Sequence, residues 1–222
     1  MKHIFCILFI TVFSAVCHAQ TKTVNIPAVY GQDTSTFFTW QRLRSEKAGF
    51  RNLMETKDSL HFRLSTENQA VDIWTADYSC FYGEITNYTI EWPFRSSVKK
   101  TTSQATFRES KPIDTSTARL VYNLFIENAI FDIPTQDSIA MWGYGKDGGY
   151  LYIENATKSS YAFKSYWCPY LFVKRIAEAK RISHVNARVS KLLRLSSSFE
   201  RFLKSLPPGT YQANNGRFRT LE

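Results

Sequence analysis

At 222 residues, with a formal net charge of +9, 44% apolar and 21% charged residues, the chain has the composition of a foldable globular protein, neither disordered nor collagen-like. Its 15% aromatic content beside only 9 Gly and 7 Pro excludes low complexity and supplies bulky apolar surface for a core. These numbers name no reaction.

Met1-Lys2-His3 precedes an uncharged apolar run, Ile4 to Val16, that closes at Cys17-His18-Ala19. A cationic start, a short apolar core and a small residue before the cut are the parts of a secretory signal peptide, and cleavage is expected after Ala19. The run is shorter than the roughly 20 residues that cross a bilayer as a helix. A lipoprotein reading would lipidate Cys17, but Ser14-Ala15-Val16 lacks the expected Leu-like residue three places before it and the small residue just before it. The expectation is a secreted or periplasmic protein: residues 1–19 a signal, 20–209 a single α+β domain, 210–222 a C-terminal tail.

Beyond the polar residues 20–35, Phe37, Trp40, Leu43, Phe50, Leu53 and Met54 fall at helical spacing, with Thr34 to Thr36 available as caps. Leu60 to Leu64, Ala70 to Thr75 and Tyr78 to Trp92 are rich in β-branched and aromatic residues and predict strands. The polar, basic stretch 95–111 suits a loop or exposed hairpin. Asp114 to Ala129 reads as an amphipathic helix with Asp114 or Thr115 as its N-cap. Ile139 to Trp142, Tyr150 to Asn155 and Tyr161 to Trp167 predict further strands, and residues 169–206 predict one long or two shorter basic amphipathic helices, stopped by Pro207-Pro208-Gly209. Helix, strands, helix, strands, helices is an α+β order with a mainly antiparallel sheet and a helical C-terminal segment.

The charge is uneven. Residues 20–168 carry sixteen basic and sixteen acidic residues, whereas 169–222 carry 11 basic against 3 acidic. Lys174, Arg181 and Arg188 are seven apart, and Lys180, His184, Arg188 and Lys191 three or four apart, which makes a basic helical face. Such a face is either a solvated surface or a site for an anion: an acidic protein, an anionic envelope component, or lipid head groups in a peripheral membrane contact. Nucleic acid is not expected, because no nucleic-acid module is recognisable.

Cys6 and Cys17 fall in the signal, leaving Cys80 and Cys168, and two cysteines in an exported chain predict one disulfide. It would close a loop of about 90 residues and contribute about 4 kcal/mol in the chain-entropy model. The alternative makes one a nucleophile activated by His61 or His184, the two histidines left after the signal. With so few histidines, no metal site and no cofactor is expected.

Gly143-Tyr144-Gly145-Lys146-Asp147-Gly148 spells G-x-G-x-x-G, but a phosphate-cradling loop needs a helix after it, and a strand-like segment follows; a tight hairpin turn with positive φ explains the glycines better. Asp77, Glu84, Glu91 and Glu154 lie on or beside predicted strands and are candidates for the acid and base of a glycosidase, with Glu84 and Glu91 on opposite faces. There is no G-x-S-x-G elbow and no H-E-x-x-H helix. Trp74, Trp92, Trp142, Trp167, Tyr150, Tyr152 and Tyr161 are either core or a sugar-stacking platform, with Tyr150 and Tyr152 on one strand face. Asn87-Tyr88-Thr89 and Asn155-Ala156-Thr157 fit the glycosylation sequon, which has meaning only in a eukaryotic secretory route.

Asp147-Gly148-Gly149-Tyr150-Leu151-Tyr152-Ile153-Glu154, then Tyr161 to Lys164 and Tyr166-Trp167-Cys168-Pro169, resembles a pattern in uncharacterised secreted proteins of Bacteroidota: Asp-Gly, an aromatic strand ending in Glu, a second strand, and a Pro that opens a helix. The resemblance implies a periplasmic or surface-exposed α+β domain and brings no activity. The composite expectation is a non-enzymatic binding, inhibitor or immunity-type module. Its binding residues are drawn from Lys174, Arg181, Arg188, Lys191, Tyr150, Tyr152 and Trp167, and the alternative is a hydrolase of envelope or dietary glycans.

Overall fold

The computed structural model describes residues 22–26, 36–91, 105–145, 147–213 and 217–221. The expected signal segment and Trp92 lie outside them. The architecture is α+β, as the element order predicts: a seven-stranded sheet, mostly antiparallel, with four helices.

In chain order the elements are β1 (Thr23–Asn25), α1 (Thr36–Lys47), β2 (Leu60–Ser65), β3 (Gln69–Thr75), β4 (Tyr82–Ile90), β5 (Thr106–Ile113), α2 (Thr115–Glu127), β6 (Tyr150–Ala156), β7 (Ser160–Trp167), α3 (Ala177–Leu192), α4 (Leu195–Lys204), β8 (Gly209–Ala213) and β9 (Arg217–Leu221). The sheet order is β1-β7-β6-β2-β3-β4-β5, with β1 parallel to β7 and every other pair antiparallel; β8 and β9 form a separate hairpin. That hairpin occupies most of the stretch expected as a tail. It joins the body through a Glu91–Tyr211 bridge and through Asn68 Nδ2, which donates to the Gln212 carbonyl at 3.2 Å.

Strand alternation splits the sheet into two faces. Phe62 and Leu64 of β2, Val71 and Ile73 of β3, Ile85 of β4 and Leu151 and Ile153 of β6 point to one face, where α2 adds Ala118, Val121 and Phe125 and α3 adds Ala179, Ile182, Val185 and Val189. Phe62 meets the Phe125 ring at 4.5 Å in the middle of this core. The opposite face is covered by α1 and by the segment carrying Leu53 and Met54, which pack on Tyr152, Tyr161 and Phe163. A third cluster joins Phe199, Phe202 and Leu203 of α4 to Ala213 and Phe107.

Local chemistry sets the helix ends. The Asp114 carboxylate accepts from the Thr117 N–H at 2.9 Å and caps α2, and the Ser116 hydroxyl together with that N–H holds its pKa down at about 2. Gly49, at φ +67°, ends α1: its N–H donates to the Glu46 carbonyl and the Phe50 N–H to that of Ser45, the paired bonds of a Schellman motif. Arg194, in the left-handed region at φ 51°, divides the C-terminal run into α3 and α4.

Two expectations are corrected and a third is narrowed. Within the stretch expected as a loop or exposed hairpin, residues 106–113 are an edge strand antiparallel to β4, which is the hairpin alternative; polar residues are tolerated there because an edge strand has only one hydrogen-bonded neighbour. Ile139 to Trp142 is a bend and turn that follows a 3-10 turn at Gln136–Ser138, not a strand. The glycine segment therefore belongs to no hairpin: of its glycines only Gly148 has positive φ, and a Cβ on Gly145 or Gly148 would fall 2.3 Å from the Trp167 ring or 2.2 Å from the Cys168 sulfur.

Lys164 of β7 is buried on the α2–α3 side of the sheet, its Nζ donating to the Phe131 carbonyl at 2.5 Å. Burial lowers its pKa to about 8, with Asp132 opposing the shift. Since the unfolded lysine titrates near 10.5, the unfolded chain binds more protons between those values, so the contribution of this group to stability increases with pH there. In urea unfolding at pH 8, 9 and 10, the wild type should gain stability relative to Lys164→Met as pH rises; a constant difference would contradict the assignment.

Candidate functional site

The densest polar cluster lies on the α1 face of the sheet. Direct cross-strand partners there are Glu84 and Asp72, Asp72 and Arg63, and Arg63 and Glu154, so four charged residues from β4, β3, β2 and β6 form one row. Arg63 is 2% exposed at its centre. Its Nε donates to Asp72 Oδ1 at 2.9 Å and Oδ2 at 3.1 Å, its Nη1 to Glu154 Oε1 at 3.4 Å, and its Nη2 to the Arg51 carbonyl at 3.1 Å. The Phe50 ring stacks 4.8 Å from the guanidinium carbon.

Burial works against both charges, but the pairing overrides it: the Arg63 pKa is raised by Asp72 and Glu154, and the Asp72 pKa is lowered by Arg63 and His61. His61 Nε2 lies 2.9 Å from Asp72 Oδ1, while Nδ1 is 3.3 Å from Asp58 Oδ2 without hydrogen-bond geometry. The buried Tyr161 hydroxyl donates to Glu154 Oε2 at 2.8 Å. At the rim, Arg108 Nη2 donates to Glu84 Oε1 at 3.2 Å.

This row answers the expected glycosidase carboxylates. Glu84 and Glu154 are three strand spacings apart, about 14 Å in the sheet plane, beyond the ~5 to 9.5 Å that separates glycosidase pairs. Glu91 follows the end of β4 and bridges to Tyr211, and Asp77 lies in the β3–β4 turn accepting from Ser79. Asp72, which was not among those candidates, is the direct cross-strand neighbour of Glu84, and Asp72 and Glu154, on either side of β2, are both held by Arg63.

The expected disulfide is corrected. Cys80 is a free, exposed thiol and Cys168 a free, buried one. The topology separates them: β4 and β7 run in the same direction, Cys80 precedes the start of β4, and Cys168 follows the end of β7, with β6, β2 and β3 between. A strand length of ~20 Å along the sheet is far beyond the ~7 Å limit for bridged Cα atoms. The Cys168 thiol donates to the Gly149 carbonyl at 3.6 Å, and the imidazole nitrogens of His61 face aspartates; His184 is exposed on α3.

The aromatic candidates are largely packed. Tyr152 stacks between Tyr150 and Phe163, with ring centroids 5.8 Å from each, and is buried beneath α1; Trp167 is buried against Phe172. These two present no ring face to solvent. Tyr150 is half-buried against Phe37.

The basic candidates divide. Lys174 precedes α3 and is exposed apart from it, which removes it from the seven-residue stripe. Arg181 donates from Nη1 to the Asn128 carbonyl at 3.3 Å, tying α3 to the C-terminal end of α2. Arg188 and Lys191 are exposed, and with Arg194 they border a groove of about 930 Å³ between α3 and α2. Leu120, Leu124 and Leu192 line it, and Glu127 is its acidic residue. Leu120 is 52% and Leu192 40% exposed.

Sequence reasoning passed over Arg63, Asp72, Gln41 and Arg194. The available signal was the shared parity of Arg63, Asp72 and Glu154 on apolar strands. Among the described residues no group of His, Cys, Asp or Glu is placed to hold a metal, and no helix is long and apolar enough to cross a membrane. The chain matches no family model and no curated protein.

Peptide mapping after alkylation should find Cys80 modified in the folded protein and Cys168 only after denaturation, both without a reductant. Modification that requires reduction at both positions would restore the crosslink.

Proposed function

We propose that the protein is a non-enzymatic, exported binding module whose α2–α3 groove receives an acidic segment of a protein partner. The observation that carries this reading is the groove itself: exposed leucines between two helices, flanked by Arg188, Lys191 and Arg194 against the single acid Glu127. An amphipathic helix laid into such a groove buries its apolar side chains on the leucines and sets its acidic residues against the cations. A flat lipid surface does not enter a groove, and an anionic polysaccharide carries no apolar side chains to meet Leu120 and Leu192. Export is supported by the Lys2 charge and the apolar run that follows it, and by the resemblance to secreted proteins of Bacteroidota. The non-enzymatic part rests on the buried carboxylates: Asp72 and Glu154 are committed to Arg63, and a carboxylate held in a buried ion pair is not free to meet a substrate.

The test is fluorescence anisotropy with a labelled peptide that carries Leu at helical spacing and Glu elsewhere. Arg188→Glu with Lys191→Glu should weaken binding by about tenfold or more, and added salt should weaken the wild-type complex. Equal binding by the double variant, or binding to anionic vesicles but not to the peptide, would overturn the proposal.

A further inference from the structure

A second concavity, independent of the groove, opens on the other side of the molecule. It is a cleft of about 610 Å³ between α1, the segment after it and the sheet, within the ~300 to 1,000 Å³ range of small-molecule sites. Phe38, Leu53, Tyr161 and Phe163, all buried aromatic or aliphatic side chains, form its apolar wall.

Two polar atoms in that wall have no partner. Gln41 is 3% exposed, and its amide nitrogen donates to Ser65 Oγ at 3.1 Å, while its carbonyl Oε1 is buried without a hydrogen bond. Ser45 Oγ is likewise buried without one. The two residues are four apart on α1, so they stand on the same helix face as neighbours, and both line the cleft. An acceptor with no donor, buried in a fold, carries an uncompensated desolvation cost unless something binds there.

The buried charges of the cleft are already matched: Arg63 pairs with Glu154 at 3.4 Å. At the exposed rim Arg42 pairs with Glu46 at 3.0 Å and Arg51 with Asp58 at 3.4 Å, and the Glu55 carboxylate accepts from the Asn52 amide at 2.7 Å with no cation paired to it among the described residues. No unpaired buried charge on this wall calls for an ionic ligand.

We propose that this cleft is a binding site for a small uncharged ligand with an apolar, ring-bearing body and a hydroxyl head. The ring lies against Phe38, Leu53 and Phe163. The hydroxyl donates to Gln41 Oε1 and accepts from the Ser45 hydroxyl, which satisfies both orphaned atoms at once.

Phenethyl alcohol, phenethylamine and phenylacetate share one body and differ in the charge of the head. Titrated into the full chain and followed by amide chemical shifts, phenethyl alcohol should perturb Gln41, Ser45 and Leu53 at concentrations up to about 10 mM, as its size permits, and bind more tightly than the other two. Gln41→Leu should weaken it by about five- to tenfold, the loss of one hydrogen bond. Ser45→Ala reads the same contact if the Gln41 variant loses its dispersed spectrum. Absence of shifts on α1, equal or tighter binding of either charged probe, or binding unchanged in the folded variants would each overturn the proposal.

Discussion

The burial of Arg63 constrains everything on the α1 face. A guanidinium that is 2% exposed is tolerable only with its charge balanced and its donors used, and the strands on either side of β2 supply one acid each at the directly opposite position. That arrangement fixes register: sliding β3 or β6 by one residue would move Asp72 or Glu154 to the apolar face and leave Arg63 unpaired. It also ties down the covering segment, because Arg63 reaches the Arg51 carbonyl and carries the Phe50 ring. The clefts on this face are the spaces that α1 and its following segment leave around a rigid ionic centre.

The two faces of the sheet then serve different ends. The α2–α3 side is close-packed from Phe62 to Val189 and leaves its concavity on the outer surface of the helices, where the basic residues stand. The α1 side is more aromatic and more polar, and its concavity lies against the sheet itself. On the two proposals made above, one surface would receive a helical segment of a macromolecule and the other a small neutral molecule, with the binding chemistry divided between outside and inside.

How much of this the sequence disclosed depended on whether the signal was local. The Asp114 cap and the apolar spacing after it revealed α2, and β-branched runs revealed β2, β3, β6 and β7. The helix α1 was visible, but its orientation was not: Trp40 and Leu43, which set its apolar pattern, are 66% and 52% exposed, while Gln41 is buried. A lone Arg in an apolar strand reads as a solvent-facing residue, and only strand order brings Asp72 and Glu154 to it. The same long-range information parted Cys80 from Cys168. The sequence left loop and exposed hairpin undecided for 95–111 because an edge strand such as 106–113 can be polar on both faces.

The most direct measurement is the unfolding free energy of Arg63→Met beside that of the triple variant Arg63→Met, Asp72→Asn, Glu154→Gln at neutral pH. If Arg63 is the centre on which this face depends, the single variant, which strands two buried carboxylates, should lose about 3–5 kcal/mol, and neutralising those carboxylates should recover most of the loss. A single variant within about 1 kcal/mol of the wild type, the range of exposed ion pairs, would show that the row is incidental to the fold.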